Sequence, residues 1–104
     1  MKEPYKLPVG FYLREVIYLY VAEYSNNKNC AIVAQCASGE PWGTLSFNEK
    51  AKLPPYTFNV KVYSENEPWW RACWGTGMFE AVPELTNDLN CPVWRLKKEF
   101  QPKQ

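Results

Sequence analysis

Residues 11–24 are rich in β-branched and aromatic side chains, types that suit a pleated, packed surface, and they predict a long strand. Both faces look apolar from Val16 to Val21, with Arg14 and Glu15 marking a bulge or a change of buried face. A short amphipathic helix over residues 12–20 is the competing reading. Asn26, Asn27 and Asn29 follow in a polar run, and asparagine tolerates the positive φ of tight turns, so a hairpin is expected. Next, Cys30, Ile32, Ala34 and Cys36 alternate with Ala31, Val33, Gln35 and Ala37, which predicts a second strand. Beyond the turn at residues 38–41, residues 42–47 form a third, with Leu45 and Phe47 on one side. Short connections between consecutive strands imply an antiparallel meander.

Pro54 and Pro55 close a polar loop that carries the chain out of simple hairpin pairing. Tyr56, Phe58, Val60 and Val62 then alternate with Thr57, Asn59 and Lys61, the cleanest period-two pattern in the chain. After residue 63 the period changes. Asn66 suits a helix N-cap, Glu67 and Pro68 suit a first turn, and Trp70, Cys73 and Trp74 share a helical face before Gly75. About two turns of helix are predicted there. Residues 78–82 and 92–96 are the last strand candidates, pairing with each other or closing onto the main sheet. The expected fold is therefore α+β: a mainly meander antiparallel sheet of about four to six strands, with one short helix after the fourth.

At 104 residues the chain has room for one domain, read as 1–104 with residues 1–9 and 98–104 as frayed or extended termini. The aromatic share of 16% is high, and large rings help a short chain build a core. Residues 1–6 lack the apolar stretch of a secretory signal, and no apolar run is long enough to span a bilayer. A cytoplasmic protein with no membrane partner is expected. Formal net charge is +1, so there is no global basic field to draw in nucleic acid; Arg95, Lys97, Lys98 and Lys103 are the sole basic cluster.

Chemistry is sparse. The chain has no histidine, which removes the commonest general base and metal ligand. Cys30, Cys36, Cys73 and Cys91 form no Cys-x-x-Cys pair, and Cys30 and Cys36 would lie about 20 Å apart on one strand, too far for a disulfide or a shared metal. They read as reduced, structural thiols. Glu65 with Glu67, and Glu80 with Glu84, are the densest carboxylate pairs, and neither comes with a second catalytic motif. Gly75 and Gly77 follow the predicted helix, whereas a phosphate-cradling loop precedes one, so they read as a C-cap and turn. No catalytic residue, metal or cofactor is assigned.

The segment containing Trp69, Trp70, Arg71 and Trp74 is the most unusual feature. Trp70 and Trp74 align on a helix while Trp69 points about 100° from Trp70, so one indole is expected to stay partly exposed. Tryptophan and arginine are enriched among interface hot spots, and the competing reading packs all three rings into the core.

Residues 31–36, then Gly39 to Asn48 with its Gly-Glu-Pro-Trp-Gly-Thr run, then Leu53 and Pro54, resemble domain of unknown function 4313, a family of small bacterial proteins. The similarity covers about half of the chain, and the part after Tyr63 departs from the pattern. The resemblance implies no activity and no catalytic residues. It implies an association with mobile elements of gut bacteria, and with it a protein that docks on a host protein or a defence component.

Two functions are thus expected of this chain. The first is a non-enzymatic protein-binding module, an inhibitor of a host or defence protein, using Trp69, Trp70, Arg71 and Trp74 with Glu65 and Glu67 setting partner choice. The second is single-stranded nucleic-acid binding, with Tyr18, Tyr20, Tyr56 and Phe58 as a stacking platform and the C-terminal cations on phosphates. Exposed indoles and an open sheet edge also permit a homodimer.

Overall fold

Alternation along residues 17–36 sets the first half of the molecule. In the computed structural model, which describes residues 5–6, 17–36, 38–63, 66 and 69–101, strands β2 (Ile17–Glu23) and β3 (Cys30–Cys36) pair antiparallel over seven residues, from Ile17 opposite Cys36 to Glu23 opposite Cys30. Ile17, Leu19, Cys30, Ile32 and Ala34 are buried, and Val21 and Cys36 pack against the same core. The strand expected over residues 30–37 is observed as β3, with Ala31 buried beside Cys30, Ile32 and Ala34. Residues 11–16 of the long strand expected over 11–24 lie outside the described residues. From Ile17 onward the chain is strand, not helix, because its β-branched and aromatic side chains cover two faces of a sheet.

β1 (Tyr5–Lys6) flanks β2, and β4 (Pro41–Thr44) flanks β3, giving the order β1-β2-β3-β4. A second antiparallel sheet has the order β5-β6-β8-β7, from β5 (Ser46–Phe47), β6 (Thr57–Val60), β7 (Phe79–Ala81) and β8 (Val93–Leu96). The fold is α+β with antiparallel strands throughout, as expected, and the strands divide between two four-stranded sheets. The last two strands pair with each other, and β8 also joins β6.

The single strand expected over residues 42–47 is a bent one that changes sheet at Leu45. The N–H of Leu45 donates to the Ile32 carbonyl of the first sheet, while its carbonyl accepts from Lys61 N beyond β6 (2.9 and 2.7 Å). Ser46 ties the same corner: its Oγ accepts from Ile32 N at 3.0 Å and pairs with the Tyr24 hydroxyl at 2.9 Å. Strands that switch sheets at a bend make the corners of two-sheet packings. Phe58, Val60, Phe79, Trp94 and Leu96 of the second sheet close over the inner residues of the first in one core.

A second junction is polar. Asn29, 2% exposed, accepts from Leu53 N at 2.9 Å and donates to Asn48 Oδ1 at 3.2 Å and to the Ala51 carbonyl at 2.9 Å. Asn27 donates to Glu49 O at 2.8 Å and, through Oδ1, accepts from Asn29 N at 3.1 Å. These asparagines clasp the β2–β3 hairpin to the loop at residues 48–53. Lys98–Phe100, within the stretch expected to be frayed or extended over residues 98–104, forms a 3-10 turn, with Phe100 packed against the core and Gln101 donating to Leu96 O at 2.8 Å; residues 102–104 lie outside the described residues.

Candidate functional site

Helix α1 (Trp70–Gly75) is shorter than expected and begins without a side-chain cap. Asn66, expected as its N-cap, is instead fully buried: its Nδ2 donates to Thr44 O at 2.8 Å and its Oδ1 accepts from Trp69 Nε1 at 3.2 Å. A buried amide that satisfies a strand-end carbonyl and an indole N–H together is worth more there than at a solvent-exposed cap. The helix ends with Gly75 inside it and Thr76 as C-cap, and Gly77 takes the positive φ of 79°.

Asn66 fixes which way the helix faces. Trp69 and Cys73, four apart, point inward at 3% and 0% exposure, and the Trp69 ring lies over Gly43, where an added Cβ would sit 3.8 Å from it. Cys73 turns inward with Trp69, whereas the sequence grouped it with Trp70 and Trp74; it lies on the helix between Trp69 and that outer pair, and burial assigns it to the inner side. Burial pushes the Cys73 thiol well above its ordinary value, which leaves it protonated and unreactive at neutral pH.

The adjacent stripe carries Trp70 and Trp74, and both meet Trp94 of β8. Ring centroids of Trp74 and Trp94 are 4.9 Å apart at 44°, and those of Trp70 and Trp94 6.1 Å apart at 54°. Below them Phe79 stacks on Trp94 at 5.6 Å and 28°, and Phe58 meets it edge-on at 6.3 Å. Trp94 itself is 3% exposed, Trp70 is half-buried, and Trp74 is 43% exposed. The Arg71 guanidinium lies 4.6 Å from the Trp70 ring centre, within cation–π range. Ala81 and Pro92, both exposed, complete the rim of a shallow, mainly apolar groove of about 350 Å³ lined by Trp70, Arg71, Trp74 and Trp94. Trp70 Nε1 is buried with no hydrogen-bond acceptor among the described residues.

Of the residues expected to make a contact surface, the structure brings together Trp70, Arg71 and Trp74. Trp69 is core. Glu65 and Glu67 lie outside the described residues. Trp94, Ala81 and Pro92 are the members that sequence reading missed. Trp94 sits twenty residues from Trp74 in the chain, and only the β7–β8 pairing, with Ala81 opposite Trp94, carries it under the helix.

Of the ring platform expected for nucleic acid, one member is closed to bases. Phe58 is 0% exposed, Tyr18 and Tyr20 belong to the first sheet, and Tyr56 precedes β6 in the second. Arg95 of the basic cluster is paired with Glu80 at 2.8 Å. Among the described residues, no three His, Cys, Asp or Glu side chains are placed to hold a metal, and no helix is long and apolar enough to cross a membrane. In class, this is an α+β protein of two antiparallel sheets with an indole groove beside its helix. No protein-family model, curated protein or solved structure matches the chain.

Proposed function

We propose that this is a non-enzymatic protein-binding module that docks on a host protein through Trp70, Arg71 and Trp74, acting as a mobile-element or phage-type inhibitor of a host or defence protein. The observation that carries the reading is Trp74, a large ring left 43% exposed on top of a buried indole. Covering its exposed surface would contribute about 2 kcal/mol to association, and Trp with Arg in one patch is the composition of binding hot spots. The groove, lined by Trp70, Trp74, Pro92 and Trp94, calls for an apolar side chain. The mobile-element setting rests on the resemblance read in residues 31–36, 39–48 and 53–54, and a sealed thiol at Cys73 supports binding over nucleophilic catalysis at that residue.

The test is stoichiometric capture. The wild-type protein, immobilised in a bacterial host lysate, should retain one partner at near-equal molar ratio, and Trp74→Ala should lose it while melting within a few degrees of wild type. Equal capture by Trp74→Ala would sink the reading.

A further inference from the structure

Two turn positions carry residues ill suited to their backbone, and both open onto one cavity. Lys28 has φ 64° and Tyr56 has φ 59°, in the left-handed region that side chains with a Cβ pay to enter. Lys28 closes the β2–β3 hairpin, its N–H donating to Tyr24 O at 2.9 Å, and Tyr56 sits in the turn closed by Thr57 N on Pro54 O at 3.2 Å. Asparagine or glycine fills such positions at lower cost, and asparagine occupies 26, 27 and 29 on either side of Lys28. The remaining non-glycine residue with positive φ among those described is Asn90, a type suited to it, and it lies away from this cavity.

The cavity measures about 310 Å³, within the range of small-molecule sites. Val21, Leu53, Pro54 and the Tyr56 ring supply apolar walls, and Lys28, Lys52 and Glu23 bring two positive charges against one negative. Its shape is held before any ligand arrives. Lys52 Nζ donates to Asn27 O at 2.9 Å, and the Asn29 clasp grips Leu53 N and Ala51 O on the adjoining loop.

From this geometry we infer that the cavity binds a small organic anion with a flat apolar body, an aromatic carboxylate being the simplest. The anionic group lies towards Lys28 and Lys52, and the body rests against Leu53, Pro54 and the Tyr56 ring. The site is separate from the indole groove, with which it shares no lining residue.

Benzoate is the probe, with benzylamine as its charge-reversed counterpart, titrated into the full chain and followed by amide NMR shifts. Benzoate should shift Lys28, Leu53 and Tyr56 saturably, with a dissociation constant at or below about 10 mM, and benzylamine should bind at least about ten-fold more weakly. Lys52→Gln should weaken benzoate about three-fold. Lys28→Asn should do the same while raising the melting temperature by about 2–4 °C, since it relieves the turn. Absence of saturable shifts at these amides, equal binding of benzylamine, or undiminished benzoate binding by Lys28→Asn would each overturn the inference.

Discussion

The asparagine clasp and the indole cluster both fasten distant segments together, and they do so with opposite accounting of their polar and apolar surface. In the clasp, Asn29 Oδ1 meets Leu53 N, its Nδ2 meets Asn48 Oδ1 and Ala51 O, and Asn27 fills the neighbouring positions. Its polar demand is met within the fold. Around α1, Trp74 keeps 43% of its surface and Trp70 Nε1 lacks an acceptor among the described residues. The clasp is complete in itself and serves the fold, whereas the indole cluster leaves the Trp74 ring partly uncovered, the feature on which the docking proposal rests.

The widest separation in that comparison lies within the tryptophans. Trp69→Ala empties a buried indole site and removes the acceptor's partner at Asn66, and should cost about 3–5 kcal/mol in denaturant unfolding. A loss below about 1 kcal/mol would mean that the inner face of α1 is not a core face. Next comes the clasp itself. Asn29→Ala strips Leu53 N and Ala51 O of their partner at a site 2% exposed, for an expected loss of about 2–3 kcal/mol.

How far these features could be read from the chain depended on whether their cause was local. The existence of β2 and β3 was legible because β-branched and aromatic residues with short polar turns favour strands, whereas their register was not, since both alternating sets are largely apolar and Ala31 is buried along with Cys30, Ile32 and Ala34. The turn at residues 25–29 was legible as a turn, and its asparagines were not legible as a clasp, because Asn48, Ala51 and Leu53 reach them across about twenty residues of chain. The switch of sheets at Leu45 left no mark in the pattern, since a bent strand alternates like a straight one. At the candidate site, helical spacing aligned Trp70 with Trp74, but the rotation of α1 was set by Asn66 gripping Thr44, a contact across 22 positions. The expected N-cap role for Asn66 failed for that reason: local capping competed with a tertiary partner and lost.

Alkaline titration sharpens the same division with a smaller effect. Burial raises Cys73 and, more mildly, Tyr24, whose bond to Ser46 works the other way. A raised acid binds more protons folded than unfolded, so its stabilising share is complete below the ordinary value and falls as pH rises past it. Stability should therefore decline from about pH 9 upward, by at most about 1.4 kcal/mol per unit for each such group. Cys73→Ala should flatten that decline. A slope unchanged by the substitution would place the thiol in contact with water.

The smallest stability effect is the one that bears most on function. Trp74→Ala removes a ring that is 43% exposed and meets Trp94 at a tilt, with centroids 4.9 Å apart, so the expected cost is about 1 kcal/mol or less. Trp69→Ala, five residues earlier, should cost several times that. Denaturant midpoints of the two variants measured side by side check the ratio without any knowledge of a partner. If Trp74→Ala destabilises as much as Trp69→Ala, the outer indole is structural, the apparent surplus is core at the surface, and the docking reading loses its footing. If it is nearly silent in stability, the ring is free to act at a surface, as the docking proposal requires, and the capture experiment decides.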